Sequence, residues 1–172
     1  MVYLTCQARI IYRGDVMKKL KSYFIFIGIS LAIGVLSTLF TMGNMDLYSK
    51  INVPSLAPPS FLFPIVWTIL YILMGVSAGI IFNSSVDFSK KKSALTTFFL
   101  SLVVNFFWSI IFFNLKNYLL AFAWILLLWL LVLVTIIRYY KISKVAALLQ
   151  IPYLLWVTFA TYLAFGIYLL NK

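Results

Sequence analysis

The chain has 172 residues, 65% of them hydrophobic and only 10% charged, with a formal net charge of +11. A water-exposed globular domain carries about 25% charged residues, so that class is excluded. There is no histidine, one cysteine and three acids, Asp15, Asp46 and Asp87. The commonest metal ligand, the commonest general base and any paired intramembrane carboxylates are therefore missing, and hydrolytic, metal-dependent and proton-relay chemistry lack their usual residues.

Residues 1–16 read as a disordered extension or as sequence ahead of the true start, because Met17-Lys18-Lys19-Leu20-Lys21 followed by an apolar run is itself a normal beginning for a membrane protein. No small-residue cleavage site follows to make that run a signal peptide. Cys6 lies in this segment and has no internal disulfide partner. Residues 17–172 read as a single membrane domain.

A bilayer core of roughly 30 Å needs about 20 apolar residues in a helix. Five stretches qualify, Tyr23–Phe40, Phe61–Phe82, Leu95–Phe113, Tyr118–Ile137 and Val145–Leu170, and none contains Asp, Glu, Lys or Arg. The fold class is thus all-α, a bundle of five transmembrane helices. A membrane β-strand would alternate apolar and polar residues, whereas Ala123–Ile137 is apolar at every position except Thr135.

The connection from Asp46 to Phe61 is the longest and carries Pro54, Pro58 and Pro59. Each proline fixes φ and removes a donor, which makes the Pro58-Pro59 step stiff and extended. It reads either as a spacer or as a cap over the outer mouth of the bundle. Pro64 suits the first turn of the second span. In that span Trp67, Tyr71, Met74 and Ala78 share one helical face, and Gly75 and Gly79 form a GxxxG pair that lets another helix approach closely.

In the third span Asn105 stands near the middle of a charge-free helix, where its amide would go unpaired against lipid. It must point into the bundle, and Ser101 and Trp108 share its face. The amide serves either a helix–helix hydrogen bond or a ligand. In the fifth span Tyr153, Trp156 and Ala160 share a face one turn beyond Pro152, and small Ala160 beside bulky Trp156 leaves room for a flat ligand if the face is not simply packed. The convergent residues Pro58, Pro59, Trp67, Tyr71, Asn105, Trp108, Tyr153, Trp156 and Ala160 are the candidate ligand site.

Basic residues set the orientation. Arg9, Arg13, Lys18, Lys19 and Lys21 precede the first span, Lys90, Lys91 and Lys92 lie between the second and third, and Arg138, Lys141 and Lys144 lie between the fourth and fifth. Lys50, Lys116 and Lys172 fall on the opposite side. Positive charge collects in the cytoplasm, which puts the N-terminus inside and the C-terminus outside. Basic residues scattered over short loops do not make a nucleic-acid surface.

Tyr48, Pro54, Pro58-Pro59, Phe63, Val66-Trp67, Tyr71 and Met74-Gly75 resemble the first-loop and second-helix signature of the tryptophan-rich sensory protein/translocator protein (TspO/MBR) family. Asn105 with Trp108-Ser109 and Phe112-Phe113 resembles its third-helix motif, and Pro152-Tyr153, Trp156 and Phe159-Ala160 its fifth-helix motif. The chain departs from the pattern at Leu47 and Leu56, where tryptophans are expected, at Val53, where a lysine is expected, and at Ala164, where an asparagine is expected.

The resemblance implies a bundle, often a homodimer, in a bacterial plasma membrane. It implies binding of porphyrins such as protoporphyrin IX, as ligand or substrate rather than cofactor, beneath the first loop. Light-dependent porphyrin degradation would draw on Trp67 and Trp156 as the oxidisable residues, with no metal. A transporter of tetrapyrroles or lipids, or a regulatory or structural membrane partner without turnover, is the alternative. A transporter of cations would want a buried acid, and none is present. The loose cholesterol-contact pattern Leu163, Tyr168, Lys172 is common by chance in aromatic-rich membrane ends.

The charge bias predicts a labelling pattern. In a Cys6→Ser background, cysteine placed at Ser89 should resist an impermeant thiol reagent in intact cells, and cysteine placed at Asn117 should react. The reverse pattern would refute the orientation.

Overall fold

In a hydrocarbon core no water is available to pair backbone amides, so an isolated spanning segment must satisfy them within itself as a helix. The computed structural model describes residues 16–44 and 46–172; the expected extension over 1–16, Val16 apart, lies outside the described residues, and Cys6 with it. The helices are α1 (Val2–Thr41), a single turn α2 (Leu47–Lys50), α3 (Leu62–Phe82), α4 (Phe88–Ser109), α5 (Tyr118–Tyr140) and α6 (Lys144–Leu170). Five are long and apolar enough to cross a membrane: α1 from Val16, α3, α4 with its continuation to Asn114, α5 and α6.

The helices overrun the apolar windows read from sequence. The third starts at Phe88 rather than at Leu95, and the fourth ends at Tyr140 rather than at Ile137. Apolar windows mark the part of a helix that needs hydrocarbon. The ladder itself continues into the polar flank until something ends it. On that flank the Arg138 guanidinium donates to the Ser93 carbonyl (2.7 Å) and the Lys91 ammonium to the Phe82 carbonyl (3.2 Å).

Short turns force consecutive helices antiparallel. Asn117 caps α5, its side chain accepting from the Leu120 N–H (3.0 Å), and Ser143 caps α6 by accepting from the Ala146 N–H (3.3 Å). Packing runs in a ring from α1 to α3, α6, α5, α4 and back to α1. The indole N–H of Trp124 donates to the Val104 carbonyl (2.9 Å), that of Trp108 to the Ala121 carbonyl (3.1 Å) and that of Trp129 to the Thr158 hydroxyl (2.8 Å). Such intramembrane bonds contribute roughly 0.6–2 kcal/mol each. Here they join α5 to both of its neighbours.

The GxxxG pair does what its spacing predicts. A Cβ on Gly75 would collide with the Ile27 backbone, and one on Gly79 with the Tyr23 ring. The pair is the surface on which α1 lies against α3. Gly34 of α1 plays the reciprocal part, receiving the Tyr71 ring.

Gly75→Ala is expected to destabilise the protein by about 1–3 kcal/mol, because the clash is with backbone that cannot rotate away. Gly28→Ala, where nothing stands within 4 Å, should be neutral or stabilising, since it only restricts the unfolded chain. Thermal unfolding in detergent compares the two, and equal shifts would show that the close α1–α3 approach is not specific.

Candidate functional site

The site begins with Asn105. Its amide is 3% exposed and donates to the Tyr71 hydroxyl at 2.9 Å, also buried, so α4 is tied to α3 in mid-membrane. Tyr71 stacks on Trp67, one turn nearer the loop (ring centroids 5.4 Å apart, planes at 29°). Trp108 stacks on Phe112 (5.2 Å, 22°). These elements bound a cavity of about 420 Å³. Its walls are Gly34, Ser37, Thr38 and Thr41 of α1, Tyr48 of α2, Phe63, Pro64, Trp67 and Tyr71 of α3, Asn105, Trp108 and Ser109 of α4, and Ala160, Leu163, Ala164 and Ile167 of α6. Phe112 and Phe113 complete one wall, and Ser60 and Phe61 stand at the loop end.

The end of α4 shapes one wall. Ile110–Asn114 is a single π-helical turn, with the Leu115 N–H reaching back to the Ile110 carbonyl (3.1 Å). A π turn admits one residue more than an α turn, and such turns often lie at functional sites. It brings Phe112 and Phe113 to the cavity and puts Asn114 against α1, donating to the Phe40 carbonyl (2.8 Å) and accepting from the Asn44 amide (3.0 Å). Lys116 then turns the chain with φ 52°, a left-handed value for a residue that carries a Cβ.

The first loop is held at four places. Asn44 is bound to Asn114. The Tyr48 hydroxyl donates to the Pro58 carbonyl (3.2 Å). The Pro54 ring lies against Gly166 of α6 so closely that a Cβ there would sit 2.9 Å from its Cγ. Finally, the Asn171 side chain pairs with Asn52 as a strand would, accepting from its N–H (2.9 Å) and donating to its carbonyl (2.8 Å), while also donating to the Ile167 carbonyl. Burial raises the Tyr48 hydroxyl above the usual phenol value, so it remains a neutral donor throughout the physiological range. Asp46 is lowered by the hydrogen bond and charge of Lys50, an exposed pair that contributes little to stability.

Of the residues singled out from sequence, Trp67, Tyr71, Asn105, Trp108 and Ala160 come together on the cavity wall. Tyr153 and Trp156 stand behind it, Tyr153 edge-on to Trp67 (6.1 Å) and Trp156 edge-on to Phe63 (5.9 Å). Pro58 and Pro59 are not on the lining either: Pro58 supplies the carbonyl that holds Tyr48, and Ser60 and Phe61 occupy the position expected of the prolines. The helix–helix hydrogen bond read for Asn105 is present, and the amide also lines the cavity. The α1 wall was not foreseen. Its signal is the spacing of Gly34, Ser37, Thr38 and Thr41, small and hydroxyl residues on one helical face.

Four of the five tryptophans sort by the partner of their indole N–H. Trp108, Trp124 and Trp129 have their N–H groups bonded to neighbouring helices. Among the described residues the indole N–H of Trp156 is buried without a partner, as is the Tyr153 hydroxyl.

A model of the TspO/MBR family matches residues 26–170. The chain is 36% identical over 155 residues to the tryptophan-rich protein TspO of Chlorobaculum tepidum, covering 90% of this chain and 98% of that one. It is 41% identical over 142 residues to the protein of the same name from Archaeoglobus fulgidus, covering 82% and 91%. It is 30% identical over 122 residues to the human translocator protein, covering 70% and 72%.

The loop geometry predicts that Asn171→Ala frees the strand-like segment around Asn52. Hydrogen exchange of the Asn52 amide should accelerate about tenfold, as expected for loss of roughly 1–1.5 kcal/mol of local hydrogen bonding, while amides in the middle of α3 and α5 keep their protection. Unchanged exchange at Asn52 would show that the other three attachments hold the loop alone.

Proposed function

The chain belongs to the TspO/MBR family, a multi-pass membrane protein by its five apolar helices, and from that premise we propose that its outer cavity binds porphyrins and related flat apolar ligands beneath the first loop. The observation that carries the reading is the combination of a cavity of about 420 Å³, within the range of small-molecule sites, with one buried amide–phenol pair at its wall and aromatic faces around it. A flat π-system gains contact area from Trp67, Trp108, Phe112 and Phe113. The second N–H of the Asn105 amide and the Tyr71 O–H offer a ligand acceptor its hydrogen bonds.

Light-dependent loss of a bound porphyrin fits the same geometry. The pigment supplies the excited state, and the protein supplies position and an oxidisable ring beside it. Trp67 lines the cavity, whereas Trp156 stands behind Phe63. Trp67 and Trp108 are therefore the first electron-rich indoles a bound ring would meet, and Trp156, its N–H unpartnered among the described residues, is the next.

Asn105→Ala should weaken protoporphyrin IX binding by about 1–2 kcal/mol, through one lost hydrogen bond, as read by quenching of tryptophan fluorescence. Trp67→Phe should keep most of the binding yet slow bleaching of bound porphyrin under illumination more than Trp156→Phe does, because phenylalanine is far harder to oxidise. A variant with Trp67, Trp108 and Trp156 all changed to phenylalanine that bleaches porphyrin at the unmodified rate would end the photochemical reading. Unchanged binding in Asn105→Ala and in the cavity-filling Ala164→Phe would end the binding one.

A further inference from the structure

The cavity's charge and hydrogen-bonding character say which ligands it admits, an inference that rests on the outer cavity being the ligand site. Twenty residues line the cavity and none is ionisable to a cation or a carboxylate. The three lysines at this end of the bundle stand elsewhere. Lys50 is paired with Asp46, the Lys172 ammonium lies 5.9 Å over the Tyr168 ring, and Lys116 sits in the turn before α5.

The hydroxyl groups sharpen the point. Thr38 donates its proton to the Gly34 carbonyl (3.0 Å), Thr41 to the Ser37 carbonyl (2.8 Å) and Tyr48 to the Pro58 carbonyl (3.2 Å). Each of these oxygens has only lone pairs left for a ligand. Ser37, Ser60 and Ser109 also line the cavity and keep neutral O–H donors, but a carboxylate drawn in past them meets no cation to offset its lost hydration. The Asn105–Tyr71 pair beyond offers neutral donors, which suit a carbonyl or a ring nitrogen.

We infer that this cavity excludes fixed negative charge and selects flat, uncharged ligands carrying a neutral acceptor. A dicarboxylic tetrapyrrole is then held with its carboxylates at the mouth, beside Ser60 and the exposed Phe61. The same ring system as its uncharged diester enters further and binds more tightly.

The test uses the full chain in a non-ionic detergent and two matched ligand pairs: protoporphyrin IX with its dimethyl ester, and 1-pyrenecarboxylate with 1-pyrenemethanol. Binding is read from tryptophan fluorescence, and the signal of Ala164→Phe, whose new ring fills the cavity, is subtracted as partition into the micelle. The ester and the alcohol should each bind at least tenfold more tightly than the corresponding acid. Ser60→Lys, which adds a cation at the exposed mouth, should shrink the porphyrin gap at least threefold. Acids that bind as tightly as their neutral partners would overturn the inference while leaving porphyrin binding intact. If the pyrene pair separates and neither porphyrin binds, charge exclusion stands and the porphyrin reading falls. If no ligand of either pair binds, both fall.

Discussion

Hydrocarbon offers no partner to a polar group, and the architecture follows from where each polar side chain of the spans finds one. Asn105 is the sharpest case. Its amide stands mid-membrane and is paired with Tyr71, which fixes the facing of α4 against α3. Tyr71 in turn rests in the notch left by Gly34, which fixes α1. On α1 the Ser30 hydroxyl bonds Phe26, Thr38 bonds Gly34 and Thr41 bonds Ser37 in the preceding turn, so Thr38 and Thr41 line the cavity with their protons already bonded. The cavity exists because the groups around it are already paired with one another. The cavity is the volume that remains between them.

How much of this was legible beforehand depended on whether the information was local. The spans were, because a charge-free run of 18 or more residues has one reading in a membrane protein. The inward direction of Asn105 was legible too, because lipid on one side leaves only the bundle on the other. The aromatic face of α3 followed from spacings of three and four. The α1 wall was not legible. Gly34, Ser37, Thr38 and Thr41 look unremarkable in an apolar run, and their role appears only once Tyr71 and Asn105 are set opposite them. Trp156 and Tyr153 show the converse limit. Their face was identified, and both are packed inward, but one layer of rings separates them from the space. Helical periodicity gives a direction and says nothing of depth. The departures at Val53 and Ala164 acquire a physical meaning in the same way: Ala164 lines the cavity, so the wall there is apolar where relatives of the expected pattern would place an amide.

Among the described residues, the buried polar atoms without a partner are Tyr139 Oη, Gln150 Nε2, Tyr153 Oη and Trp156 Nε1. Two of them, on Tyr153 and Trp156, belong to rings directly behind the cavity wall. An unpaired buried donor costs about 1–3 kcal/mol, and natural bundles rarely keep one without use. Tyr153 stands edge-on to Trp67 and Trp156 edge-on to Phe63, so both unpaired donors sit on rings that back cavity-lining side chains.

The π turn at Ile110–Asn114 has a consequence for how the chain tolerates change in length. It holds one residue beyond what an α-helical ladder would use over the same rise. Removing a single residue from it would restore an ordinary ladder and leave the segment after it near its present phase. Asn114 would stay against Asn44 and Phe40, and the left-handed corner at Lys116 would still aim α5. A deletion elsewhere in α4 could instead be absorbed by tightening this same turn. The segment is thus a phase adjuster between the membrane-crossing part of α4 and the loop-end cap, and it is where a one-residue change in the length of this helix can be taken up.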